Sequence, residues 1–345
     1  MKSLYHIFKD KGYTRRDFLR SAFLITSILG LHHSLMGDVV RALETKPKPT
    51  LVWLTFQSCL GCTQSFIKST SIMPADVLLD YLSLRYHQAF MSSSGYRAEM
   101  LKKEIMEKQK GQYILVVEGS LSSVKKGAYC TVAGRSGVEV LKELAEHAGL
   151  VVAMGSCATW GGLPGAHPNP TDAVSLSAVL EGKRIVNLPG CPPIGDVMVS
   201  ILTGFAITGK VPELDSLGRP KTFYGQTIHD RCYRRPFYNA GQFVDSFDAE
   251  DAIKGYCLYK LGCKGPITRN TCATMRWNGG LSFPIQSGHP CFGCSEPGFW
   301  DRGMVYTPLS VVEGGFGIKE AVVGVAVGTA LGAGMAYLNK KTDRG

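Results

Sequence analysis

The placement of the cysteines constrains this chain more than any other feature. Ten of the eleven fall into three spaced sets, joined by one histidine, and glycine or proline flanks each set. Thiols gathered in turns at such spacings are ligands for metal centres, and an odd total leaves disulfide pairing with a remainder. The fold must therefore end several of its elements at shared points in space.

The rest of the chain has the material to do this. With 345 residues and 45% hydrophobic content it can bury a sizeable core and divide into two domains. From Thr50 the order strand, glycine-rich loop, helix recurs. Residues 51–56 (LVWLTF), 112–117 (QYILVV), 150–154 (LVVAM) and 185–188 (IVNL) are short apolar runs, as expected of parallel strands covered on both faces. Residues 138–147 and a segment near 194–207 carry helical periodicity. Residues 47–211 thus read as an α/β domain, a flavodoxin-like doubly wound parallel sheet. Beyond Pro212 periodicity fades while proline, glycine and aromatics rise. Residues 212–318 read as an irregular domain folded around cofactors, because ligation supplies folding energy where a regular core is thin.

The first set is Cys59 and Cys62 in SCLGC, Cys157 in GSCAT and Cys191 in GCPP, each just after an expected strand. The four thiolates would converge at the carboxyl edge of the sheet, where open α/β folds bind their ligands, and would suit a 4Fe-4S cluster or zinc. The second set is His229 and Cys232 in HDRC, with Cys257 and Cys263. One imidazole and three thiolates also hold either zinc or an iron–sulfur cluster. The third set has only Cys272, Cys291 and Cys294, and Pro284 between them offers no ligand atom. Three thiolates fit a cluster of three irons better than a saturated zinc site. Cys130 is left over and reads as a small buried hydrophobe.

The two ends carry addresses. Thr14-Arg15-Arg16-Asp17-Phe18-Leu19-Arg20 resembles the twin-arginine export signal and precedes an apolar run at 21–31 too short to span a bilayer, so residues 1–46 read as a signal peptide. Residues 321–338 form an uncharged run of eighteen followed by Asn339-Lys340-Lys341, long enough for one membrane helix, with Gly324, Gly328, Gly332 and Ala336 on one face. Residues 319–345 therefore read as an anchor with a cytoplasmic tail, which puts the body on the periplasmic side of the cytoplasmic membrane. The formal charge of +10 is scattered, so no nucleic-acid partner is expected.

Taken together, CxxC after the first strand, GSCAT-GG, GCPP, HxxC at His229, and Cys272 with Cys291-x-x-Cys294-SEPGFWD resemble the small subunit of membrane-bound NiFe hydrogenases over nearly the whole chain. The resemblance implies a proximal 4Fe-4S cluster on Cys59, Cys62, Cys157 and Cys191, and a medial 3Fe-4S cluster on Cys272, Cys291 and Cys294 with Pro284 in place of a fourth cysteine. It implies a distal 4Fe-4S cluster on His229, Cys232, Cys257 and Cys263. Hydrogen would be split at a Ni-Fe site in a separate large subunit, so no catalytic residue is expected in this chain. Electrons would pass through the three clusters to a membrane cytochrome b and quinone. Phe292, Phe299 and Trp300 would shield a cluster from water, and Glu118 matches a carboxylate near the proximal one. Oxygen-tolerant members carry two further cysteines where Gly61 and Gly162 stand, which implies a conventional proximal cluster and an oxygen-sensitive enzyme. Ser58 stands where many members have glutamate.

The alternative is an iron–sulfur subunit of a related oxidoreductase complex, which accounts for the first set but not for the second and third or the export signal. A structural zinc protein is the reading from a different class.

Overall fold

The computed structural model of the chain describes residues 6, 9–10, 12–28, 36–45, 48–301 and 305–310. The apolar run at 321–338 and the proposed boundary near residue 46 lie outside them. Among the described residues no helix is long and apolar enough to cross a membrane.

Two helices come first, α1 (Arg15–Ile28) and α2 (Met36–Thr45). Five parallel strands follow: β1 (Thr50–Thr55), β2 (Ser83–His87), β3 (Tyr113–Glu118), β4 (Leu150–Met154) and β5 (Ile185–Leu188). Their order across the sheet is β2-β1-β3-β4-β5, the doubly wound flavodoxin-like order. Between them run α3 (Gly61–Ile67), α4 (Gly95–Lys108), α5 (Gly137–Glu146) and α6 (Gly155–Trp160), and α7 (Gly195–Thr208) follows β5.

Alternation of side chains explains why the central strands read as unbroken apolar runs. Leu51 and Trp53 of β1, Ile114 and Val116 of β3, and Val152 and Met154 of β4 face the layer that contains α1, α2, α3 and α7. Val52, Leu54, Leu115, Val117, Val151 and Ala153 face the opposite layer, with α4 and α5. In these strands polar residues stand only at the ends of β1 and β3, at Thr50, Thr55 and Glu118. Helix α7 is buried continuously from Gly195 to Thr203 because it lies under both the sheet and the N-terminal helices, whose Phe18, Ala22 and Val39 belong to the same core.

Two elements are poorly visible in the sequence. Strand β2 is an edge strand with Arg85 exposed and only its last two residues buried, so it lacks an apolar run. Helix α4 is mostly polar and buries only Ala98, Lys102 and Ile105.

From Pro212 onward the described chain is a succession of short turns and single-turn helices, among them Lys221–Tyr224, His229–Arg231, Tyr259–Leu261 and Cys272–Met275. Polar pins hold it against the sheet's carboxyl edge. Ser156 Oγ accepts from Gly190 N at 2.9 Å and donates to the Cys294 carbonyl. Trp160 Nε1 donates to Ser295 O at 3.2 Å, and the Tyr224 hydroxyl donates to Pro189 O at 2.8 Å. Within the segment itself, the buried Arg219 guanidinium joins Asp215 at 2.8 Å to Glu296 at 3.0 Å.

Candidate metal centres

The first set is assembled at the carboxyl ends of three strands, β1, β4 and β5, with β3 between the first two. Cys59 lies in the loop after β1, Cys62 in the first turn of α3, Cys157 in α6 directly after β4, and Cys191 in the loop after β5. Glycine is required around it. A Cβ on Gly155 would collide with Cys62 Sγ, and one on Gly162, whose φ is +55°, would lie 2.7 Å from Cys157 Sγ. The Cys62 thiol is pushed well up by burial and then by the negative charges of Glu118, Cys157, Cys191 and Cys59. Burial and Cys191 push Cys157 up to about 12. Cys59 and Cys191 are the exposed members, so the set opens at the surface.

Glu118, fully buried at the end of β3, anchors this site from below. Its Oε1 accepts from Ser58 Oγ at 2.9 Å and Cys62 N at 3.1 Å. Its Oε2 accepts from Thr63 Oγ1 at 2.5 Å, Thr63 N at 3.2 Å and Trp53 Nε1 at 3.3 Å. Ser58 thus spends its hydroxyl proton on Glu118 and also accepts from Leu60 N at 3.0 Å. Behind Thr63 stands His87, whose Nδ1 accepts from Ala89 N at 3.1 Å. The neutral ring then carries its proton on Nε2, 3.3 Å from Thr63 Oγ1. Burial holds the His87 pKa down at about 4.

The third set is buried at all three thiols, Cys272, Cys291 and Cys294. Burial, and then the charge of Cys291, pushes Cys272 up to about 12. Cys294 is raised by burial and by Cys272, with Cys191 of the first set adding a smaller push and donating a backbone hydrogen bond. On its other side, Cys291 N donates to Cys263 Sγ of the second set at 3.4 Å. The third set therefore lies between the other two.

The second set lines one cavity. His229, Cys232, Cys257 and Cys263 all contribute to its wall, beside Arg234 and Arg235. Burial pushes Cys257 up to about 11 and raises Cys263, while burial and then Arg235 lower His229. Cys130 is half-buried against the α4–α5 layer of the core, and burial raises its thiol. Of the three aromatics expected to exclude water, Trp300 is 37% exposed, so it covers nothing completely in the isolated chain.

The donor sets fit iron–sulfur clusters. Among the described residues no group of three His, Cys, Asp or Glu side chains is placed to hold a single metal ion. Crowded thiols whose acidity is suppressed by burial and mutual repulsion need a cationic metal centre to become thiolates. Two buried polar atoms beside Cys272, Trp277 Nε1 and Thr271 Oγ1, have no standard hydrogen-bond partner, as expected where a sulfur-bearing group would complete the site.

Comparison with known proteins agrees. Residues 224–307 match the C-terminal family of the NiFe/NiFeSe hydrogenase small subunit, and residues 59–205 match NADH ubiquinone oxidoreductase, 20 Kd subunit. The uptake hydrogenase small subunit of Azotobacter vinelandii is 47% identical over 97% of this chain and 94% of its own length. The chain belongs to the NiFe hydrogenase small subunits. The Hydrogenase-1 small chain of Citrobacter freundii is also 47% identical, over 89% of this chain and 82% of its own. Among solved structures, the reduced, active Ni-Fe-Se hydrogenase from Desulfomicrobium baculatum superposes with a TM-score of 0.71 at 34% identity, covering 76% of this chain and 100% of that one. This small subunit is accordingly the iron–sulfur, electron-transferring half of a hydrogenase heterodimer, and the Ni-Fe site is not in it.

Several residues of the hydrogenase small subunit's site give no signal in the sequence. His87, Tyr224 and Trp277 reach the thiol sets only through folding, and Thr63 and Ser156, next to Cys62 and Cys157 in the chain, find Glu118 and the Cys294 carbonyl only there. Each is an ordinary core or loop residue in one dimension.

Proposed function

We propose that this small subunit passes electrons from hydrogen oxidation at the large-subunit Ni-Fe centre through three clusters in a fixed order. The first set would hold the proximal 4Fe-4S cluster, the third the medial 3Fe-4S cluster and the second the distal 4Fe-4S cluster. Iron–sulfur clusters supply one-electron carriers whose potentials follow their type, hydrogen bonds and exposure. The observation that carries this order is adjacency: Cys191 adjoins Cys294, and Cys291 adjoins Cys263. The exposed Cys59 and Cys191 give the first set an open side for the large subunit to cover. Electrons would leave from the second set to a membrane cytochrome b and quinone. The twin-arginine motif and the apolar run at 321–338 support export of a folded protein to the periplasmic side, held at the cytoplasmic membrane. Glu118 would serve as the carboxylate beside the proximal cluster. With Gly61 and Gly162 in place of extra cysteines, that cluster would be a conventional one in an oxygen-sensitive enzyme.

Metal analysis and redox spectroscopy of the heterodimer test this. About eleven irons in this subunit, with a three-iron signal in the oxidised state, are expected. Pro284→Cys should convert that signal toward a four-iron one and lower its potential. An unchanged oxidised-state signal in the variant would overturn the medial assignment, and a colourless zinc protein would end the whole scheme.

A further inference from the structure

The three thiols of the third set differ in what donates to them. Cys291 Sγ accepts from Gly293 N at 3.4 Å and also faces the Thr268 hydroxyl. Cys294 accepts from the backbone of Cys191. Cys272 has its own backbone and one side chain, the Trp277 indole. Trp277 Nε1 is shut off from water and has no acceptor within standard hydrogen-bond geometry, while its approach to Cys272 favours the thiolate. An indole N–H has one donor and no acceptor, so leaving it unmade in a protein interior is costly unless something there accepts it.

The local backbone is built to present this group. Four of residues 276–280 have positive φ, +60° at Arg276, +50° at Asn278, +69° at Gly279 and +80° at Gly280, with Trp277 set between the first two. Arg276, with ψ at 178°, occupies a region that is otherwise almost confined to glycine. The turn is closed by Trp277 N donating to Ser282 O at 2.8 Å and Leu281 N donating to Trp277 O at 2.9 Å. It is seated against Thr70, where a Cβ on Gly279 would approach the threonine methyl to 2.6 Å. Thr70 belongs to the loop after α3 that Asp196 ties to α7, its N–H donating to Asp196 at 3.0 Å. Strained backbone held between a packed core and a thiol set is the arrangement of a group positioned for use.

We propose that Trp277 is a positioning residue of the electron path: its indole N–H donates to sulfur at Cys272 or at the cluster that Cys272 holds, and so raises the reduction potential of the third set. Donation to sulfur stabilises the more negative, reduced state, which is why hydrogen bonds tune such centres. This role rests on the third set holding an iron–sulfur cluster.

The test uses the cluster-loaded heterodimer with Trp277→Phe, which keeps an aromatic ring and removes the donor. A redox titration followed by electron paramagnetic resonance should keep the oxidised third-set signal and lower its potential by about 59 mV, a tenfold change for one electron. In protein carrying indole-¹⁵N tryptophan, electron–nuclear double resonance on that signal should show a nitrogen coupling that the variant lacks. An unchanged potential overturns the role. So does a lowered potential with no ¹⁵N coupling in the unsubstituted protein, since loss of ring bulk would then be the cause. If Trp277→Phe fails to assemble, the ¹⁵N measurement on the unsubstituted protein decides alone. Absence of any three-iron signal in that protein is a separate failure, that of the cluster assignment itself.

Discussion

Single residues set the chemistry of the first thiol set, and His87 shows how far that control reaches. Its ring does not touch a thiol. It holds Thr63, which donates to Glu118, which in turn accepts from Cys62 N. Because burial keeps the folded-state pKa of His87 near 4, below its ordinary 6.5, the unfolded chain binds more protons between those values. Stability should therefore fall as pH drops through that window, by on the order of 2–3 kcal/mol if the ring is fully protonated only on unfolding. Thermal midpoints of the heterodimer measured from pH 7 to 4.5 should show this slope, and His87→Gln should flatten it. A parallel slope in the variant would assign the loss to other groups. Trp277 acts at the same scale, and the backbone strain at Arg276 that holds it is worth about 1–3 kcal/mol.

At the scale of elements, the thiols are where they are because helices and strands end beside one another. Helix α3 carries Cys62 and is braced by the first turn of α7. Asp196 of α7 accepts from Ser69 Oγ at 2.5 Å, Thr70 N at 3.0 Å and Ser71 N at 2.9 Å. Burial raises its pKa, but those donors outweigh it and hold the carboxyl below its usual range. Gly195 has no side chain because the Ser65 carbonyl of α3 occupies that space. Gly195→Ala should push α3 away at a cost of about 1–3 kcal/mol. The measured outcome should be loss of the first-set spectroscopic signal while the third-set signal and helix content persist; equal loss of all signals would mean that α7 itself had unfolded. Legibility follows the same elements. Strands β4 and β5 stand in the sequence with the limits they have in the fold, because burial on both faces demands continuous apolar runs. Strand β2 has one neighbour and an exposed Arg85, so nothing in its sequence separates it from a loop.

For the molecule as a whole, two halves of different construction meet along the carboxyl edge of the sheet. One is a layered α/β domain with a core on each face, and the other is a chain of short turns fixed by Ser156, Trp160, Arg219 and Tyr224. If residues 321–338 anchor the complex, a chain ending at Lys319 should leave the heterodimer in the soluble periplasmic fraction, assayed by hydrogen-dependent dye reduction. Retention in the membrane fraction would assign anchoring to another subunit. The sequence by itself determined which residues are candidate ligands and how they group along the chain, because a thiol ligand must be a cysteine and spacings such as CxxC are visible in one dimension. It also determined the parallel sheet, through runs that only two covered faces explain. The tertiary structure alone decided how the groups stand to one another. Cys272, Cys291 and Cys294 come last in the chain yet lie between the other two sets, since the segments around them hydrogen-bond to Ser156 and Cys191 on one side and meet Cys263 on the other. Such contacts leave no period or spacing to read, and Thr63 and His87 likewise enter the site across 55 and 24 residues of chain.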